Sequence, residues 1–177
     1  MALGEAILVC LIEEPMSGYD LAKAFDKSIG FFWRASHQQI YRELGKLREK
    51  NLIESREIAQ SGKPNRIVHT ITDKGREAIY QWSVKPGRRA SIKDDLLVKL
   101  YALGNVDKEA LKEEMGNRRD HHRAQIKVHE KMKRRLLDRT PLTPADQGKL
   151  LAIELGLEND KMLSKWAAHV LKSLDKL

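Results

Sequence analysis

Cysteine occurs once in this 177-residue chain, phenylalanine and tryptophan three times each, and proline five times. The lone thiol, Cys10, excludes an internal disulfide and fits a reducing compartment. Its apolar neighbours read as a core site rather than a reactive one. No apolar run approaches the roughly 20 residues of a membrane span. The opening MALGEAILVCLIEEP lacks a basic leader and a small-residue cleavage site, so it reads as an amphipathic helix and not a signal peptide; a cytoplasmic protein is expected. A glycine-rich phosphate loop, a Cys/His zinc spacing and a Ser/His/Asp set that the element order would unite are all missing. The expectation is a non-enzyme with no cofactor and no metal.

What the chain does have is positive charge: +8 in formal terms, with a pI near 9.6. This points to a polyanionic partner, nucleic acid first. Residues 34–76 hold ten Lys/Arg against five Asp/Glu, and residues 118–139 hold nine against three. Two basic zones need not share one job.

Spacing and punctuation divide the chain. Met1 to about Glu14 reads as a helix with Leu3, Ile7, Leu8 and Leu11 inward, stopped by Pro15. Ser17 caps a second helix with Leu21 and Phe25 inward and Gly30 beyond its end. After the aromatic Phe31, Phe32 and Trp33, a third helix runs from Ser36 to about Lys50, with Asn51 as its stop. LIESREI (52–58) and RIVHTIT (66–72) read as strands joined by the turn formers QSGKPN, a hairpin. Thr72 caps a fourth helix that runs through Trp82. Three helices and a hairpin are the order of a winged helix-turn-helix, in which the third helix enters the major groove.

Beyond PGRR (86–89) everything reads as helix. Leu96, Leu97 and Leu100 share a side. A helix over about 106–138 carries apolar residues too sparse for a small monomeric core, and a richer helix follows Pro141 and Pro144, over about 145–174. Exposed apolar surface on such an arm calls for a partner, and symmetric self-association supplies one. The residues expected at that dimer contact are Leu111, Met115, Leu151, Leu155, Met162, Leu163, Trp166 and Val170. The fold class is therefore mainly α with a small β-hairpin: a winged helix over 1–85 and a helical dimerisation domain over 90–177.

On the third helix Ile40, Leu44 and Leu47 form the inner stripe. Stepping 100° per residue turns Gln38, Arg42 and Gly45 outward, with Gln39 and Lys46 on one flank and Tyr41 on the other. Gln and Arg pair bidentately with adenine and guanine edges, and Lys46 can neutralise a phosphate. Gly45 costs roughly 1 kcal/mol relative to Ala inside a helix, which close approach of DNA or of another helix would explain. Alone, such a stripe is an ordinary solvated face; its place within a winged-helix order is what favours DNA. The hairpin tip offers Lys63 and Arg66 around Pro64, and reads equally as a polar turn or as a wing reaching phosphate.

Further candidates have plainer readings beside them. His121, His122 and His129 on the long helix read as solvated, since i, i+7 is too wide for one ion without another chain. The basic run 129–135 reads as a solubilising face rather than a nucleic-acid tail. Trp33, Trp82 and Trp166 are candidate walls of an aromatic effector pocket, against ordinary core packing.

GYDL (18–21), the FW pair (32–33), QIYREL (39–44), KPNR (63–66) and TDKG (72–75) together resemble the PadR family of bacterial transcriptional regulators. DDLLVKL (94–100) and the Trp166 helix resemble its subgroup with a long, virulence-activator-type C-terminal domain. The resemblance implies a homodimer on a palindromic operator in double-stranded DNA, a repressor more than an activator, with release by a small aromatic or hydrophobic effector in many members. It carries DNA contact onto Gln38, Gln39, Tyr41 and Arg42, onto Lys63, Pro64 and Arg66 of the wing, and places Tyr19 near the backbone. The competing reading is a winged-helix interaction or scaffold module without operator binding, against which the charge around the third helix and wing weighs.

Overall fold

A computed structural model describes residues 3–25, 33–59, 65–87, 93–139 and 141–177. Side-chain caps set the starts of its helices. α1 spans Leu3–Glu13, and β1 is the two-residue Met16–Ser17. α2 (Gly18–Ala24) and α3 (His37–Glu49) begin on the capping boxes of Ser17 with Asp20 and Ser36 with Gln39. The strands β2 (Ile53–Ile58) and β3 (Arg66–Ile71) follow. α4 (Asp73–Ser83) starts on Thr72, α5 (Asp95–Tyr101) on Asp94, α6 (Lys108–Leu137) on Asp107 and α7 (Pro144–Leu174) on Thr143. A 3-10 turn, Leu103–Asn105, joins α5 to α6. The chain divides into two compact units, Met1–Arg89 and Ala90–Leu177.

In the first unit one core gathers Ile7, Leu8 and Leu11 of α1, Leu21 and Phe25, the α3 stripe Ile40, Leu44 and Leu47, and Ile53 and Ile71 of the strands. The sheet has the order β1-β3-β2, all antiparallel, with Ile53 opposite Ile71 and Ser55 opposite His69. It is a three-stranded sheet where the hairpin reading supplied two strands: Met16 and Ser17 pair with His69 and Val68. Two residues are too few for any alternation to announce them. His69, at the sheet's centre, is buried and lies 2.9 Å from Ser55 Oγ through Nδ1. Burial, and then the nearby Arg48 cation, hold its imidazole below its ordinary pKa.

The corner between α3 and α4 fixes where α3 ends. Asn51 takes a left-handed conformation (φ 57°). The Asn51 and Leu52 N–H groups donate back to the Arg48 and Leu47 carbonyls at 2.9 Å each, a Schellman closure. The Thr72 hydroxyl donates to the Asn51 carbonyl (2.9 Å), and the Lys74 ammonium to that of Lys50 (3.0 Å). Gly75 sits against this corner, where an added Cβ would stand 2.2 Å from the Leu52 oxygen and 2.7 Å from Ile71 Cγ1. Gly75→Ala is expected to destabilise the first unit by roughly 1–3 kcal/mol through overpacking. Urea unfolding should show a lower midpoint at unchanged slope.

The second unit is an antiparallel hairpin of α6 and α7, with α5 packed on it through Leu96, while Leu97 is exposed rather than sharing its side. Both long helices follow a heptad seam. On α6 it runs through Leu111, Met115, His122, His129 and Leu136, and on α7 through Ile153, Leu157, Asp160, Ser164, Ala167 and Leu174. The expectation that α6 is too sparsely apolar to build a core is corrected: α7 completes its stripe within the same chain. Two histidines are corrected with it. His129 is 2 % exposed, and Asp160 is buried between His122 Nδ1 at 2.8 Å and His129 Nδ1 at 3.0 Å. A buried carboxylate is costly unless it is paired, so this polar layer fixes the helix register. Of the three, His121 alone is solvated.

Candidate nucleic-acid interface

The inner stripe of α3 leaves the opposite face to solvent. His37, Gln38, Gln39, Tyr41, Arg42 and Lys46 are all exposed. Their roles differ. Gln39 Oε1 accepts from the Ser36 N–H at 2.8 Å, so its carbonyl serves the cap. Lys46 is ion-paired to Glu43 at 3.1 Å. Tyr41 is half exposed and lays its ring on α2: a Cβ at Gly18 would fall 2.5 Å from Tyr41 Cε1. Glycine at 18 is what lets the two helices approach. Among the described residues, the side chains of Gln38 and Arg42 have no hydrogen-bond or ion-pair partner. They stand one turn apart on the outermost line of the helix.

Gly45 continues that line, and beyond its own turn of helix no described residue lies within 4 Å of where its Cβ would be. Packing by another described helix is thereby removed as the reason for this glycine.

The loop end of the hairpin is tied to α2. Arg66 donates to Asp20 in a close ion pair, and Asp20 also accepts from the Ser17 hydroxyl at 2.6 Å. The Ser17 hydrogen bond first, and the Arg66 guanidinium with it, hold the Asp20 carboxyl below its ordinary range. Arg66 is thus engaged within the chain as well as exposed, a link no local spacing signals. Asn65 Nδ2 donates to Glu57 Oε1 across the hairpin at 2.7 Å. Lys63 and Pro64 lie outside the described residues, as do Phe31, Phe32 and Gly30. Tyr19 is well exposed, with the Lys23 ammonium 5.9 Å from its ring centroid.

The remaining candidates divide by unit. Trp33 packs against the first core, Trp166 against the second, and Trp82 is largely exposed on α4. Trp33 and Trp166 are accounted for by the core each one packs on. Leu111, Met115 and Val170, expected at a dimer contact, are buried in the core of their own unit, which withdraws them from direct contact with a second chain; Leu163 is partly buried. Leu151, Leu155 and Met162 are different: they are 68 %, 74 % and 58 % exposed, on a second apolar stripe of α7.

A third helix gripped on one face, bare on the other and followed by a hairpin defines a winged helix-turn-helix, the DNA-binding fold of transcription factors. Residues 7–81 match the transcriptional regulator PadR-like family, and residues 92–175 match the virulence activator alpha C-terminal domain. A probable transcriptional regulator of Mycobacterium tuberculosis, Rv1176c, is 33% identical over 99% of both chains. The chain belongs to the PadR family of transcriptional regulators. It is also similar to the negative transcriptional regulator PadR of Bacillus subtilis, 26% identical over 97% of this chain and 96% of that one. The crystal structure of that protein with operator DNA superposes with a TM-score of 0.82 over 98% of this chain and 99% of its own. Its complex with p-coumaric acid gives 0.75, at 26% identity over 99% of each chain. The Vibrio cholerae virulence activator AphA gives 0.77 at 27% identity, covering 98% of each.

Gly45 offers a direct check of its surroundings. Gly45→Ala should raise stability by roughly 1 kcal/mol, as in an exposed helix interior. A lower melting temperature would mean that the site is occupied by the chain itself.

Proposed function

We propose that this chain is a homodimeric repressor that reads a palindromic operator with α3 and is released by a small aromatic or hydrophobic effector. The bare line of Gln38, Arg42 and Gly45 carries this reading. The Gln amide pairs a donor and an acceptor with an adenine edge, the Arg guanidinium gives two donors to a guanine edge, and Gly45 lets the helix backbone come close. Tyr19, Tyr41, Lys46 and the wing residues Lys63, Pro64 and Arg66 are assigned to the backbone, where cations and polar groups set position rather than sequence. For Arg66 this means sharing its guanidinium between Asp20 and a phosphate. Gln39 is assigned to the helix cap and, through its amide nitrogen, to the groove edge.

The repressor and effector parts are supported by a relative: the Bacillus protein is a negative regulator with structures on operator DNA and with p-coumaric acid. Among the three tryptophans, Trp82 has the exposure an effector contact would use. Self-association is assigned to the outer stripe of α7. Leu151, Leu155 and Met162, with Trp166 at its margin, recur at helical spacing and form an apolar line that isolated subunits would leave in water.

Gln38→Ala and Arg42→Ala should each weaken cognate-site binding by roughly 1–3 kcal/mol while changing affinity for random duplex far less. Titration of a palindromic site from DNA flanking the chain's own gene measures this; parent-like binding by both variants would remove α3 as the reader. Leu151→Glu/Leu155→Glu should shift sedimentation from dimer to monomer at micromolar protein without loss of helicity. An unchanged sedimentation coefficient would move the dimer contact elsewhere.

A further inference from the structure

Outside the α3 face, one strongly charged line of the molecule has no role. Arg123, Lys127, Lys131 and Arg134 follow one another at steps of four, four and three residues along α6. All four are exposed, on the side of the helix away from the α7 seam. The acids nearby are otherwise occupied. Glu154 is paired with Lys133 at 2.7 Å, Glu158 with Lys161 at 2.8 Å, and Asp160 lies between the two histidines. The exceptions are Glu130 and Asp138, each one turn from Arg134 along the chain, and neither is ion-paired with it among the described residues. Among the described residues, Lys127, Lys131 and Arg134 have no ion-pair partner, and Arg123 reaches Asp120 only at 3.9 Å.

From this we infer that the outer line of α6 is a second, sequence-independent contact for duplex nucleic acid, separate from the base-reading face of α3. The four cations extend over about 16 Å of helix at 1.5 Å per residue. That length faces about five phosphate steps of one strand of a B-form duplex, enough for each cation to displace a counterion. The rest of the helix argues against other polyanionic surfaces. A membrane-surface helix places a broad apolar face beside its cations; on α6 the apolar stripe turns to α7, and among the described large apolar residues of this helix Val128 and Leu137 alone are exposed. A protein interface centres on aromatic residues and is poor in lysine; this line has two lysines and no aromatic.

The test measures log K for a random-sequence duplex against log salt with the full-length chain. K127Q/K131Q/R134Q should lower the magnitude of the slope by roughly 2–3 per protomer, because each neutralised phosphate accounts for about 0.9 of it. K127R/K131R/R134K, which keeps the charges, should retain the parent slope. K165Q/K172Q/K176Q removes three exposed charges from α7 and the C-terminus and should also leave it unchanged. Each single glutamine variant should take about a third of the loss, so the result does not depend on the triple variant folding. An unchanged slope in the triple variant, or an equal fall in the α7 variant, overturns the proposal. So does loss of binding to phosphatidylserine vesicles with the duplex slope intact. The readout needs no operator: failure of α3 as base reader would abolish the preference for a cognate site and leave these slopes as they are.

Discussion

The burial of Ile40, Leu44 and Leu47 against α1, α2 and the sheet is the constraint on which the exposed face of α3 depends. An α-helix has only one circumference, and holding a third of it in a core decides what the remainder presents. With Ile40 fully buried and Leu44 and Leu47 nearly so, α3 cannot roll. Gln38 and Arg42 are then presented on a fixed line, and their entropy is spent only on their own rotamers. The Schellman closure at Asn51, the Thr72 bond beneath it and Gly75 against Leu52 stop the helix from sliding along its axis. Tyr41 over Gly18 sets its distance from α2. Each of these contacts is small, yet together they turn a polar helix face into a defined surface.

The second unit solves a different problem with the same means. Two long helices with a purely apolar seam could pair in several registers, each offset by a heptad. Asp160 between His122 and His129 permits one, because any slip would leave a carboxylate buried without its imidazoles. The network of Arg118 with Asp94 and Glu114, joined by Lys99, binds α5 to the same hairpin. The Arg118 and Lys99 contacts hold the Asp94 and Glu114 carboxyls below their ordinary range. With the inner stripe consumed in this way, the outer stripe of α7 and the outer line of α6 are what the unit offers to others, one apolar and one cationic.

Much of the first unit was legible residue by residue. Ser17, Ser36 and Thr72 mark helix starts because a hydroxyl there satisfies orphan amides. The stripe of Ile40, Leu44 and Leu47 has the period of a helix face, and β3 has the branched residues of a strand. β1 was not legible, since two residues carry no period. The tie of Arg66 to Asp20 joins positions 46 residues apart, and nothing local in either announces the other. In α7 apolar residues occupy two stripes. Periodicity identified a helix there without saying which stripe meets α6, so Leu151, Leu155 and Met162 could not be told from Ile153 and Leu157. Histidines at 122 and 129 looked like solvated polar residues because their partner lies on another helix.

The sequence by itself determined the helices and the hairpin strands, the two faces of α3 and the family, all of which rest on caps, periods and motifs read among neighbouring residues. Only the tertiary structure decided which apolar stripe of α7 is core, which histidines are buried, and which cations remain without an acid beside them. Those depend on residues far apart in the chain meeting across a seam, and the free energy of burying or pairing a group is a property of that meeting.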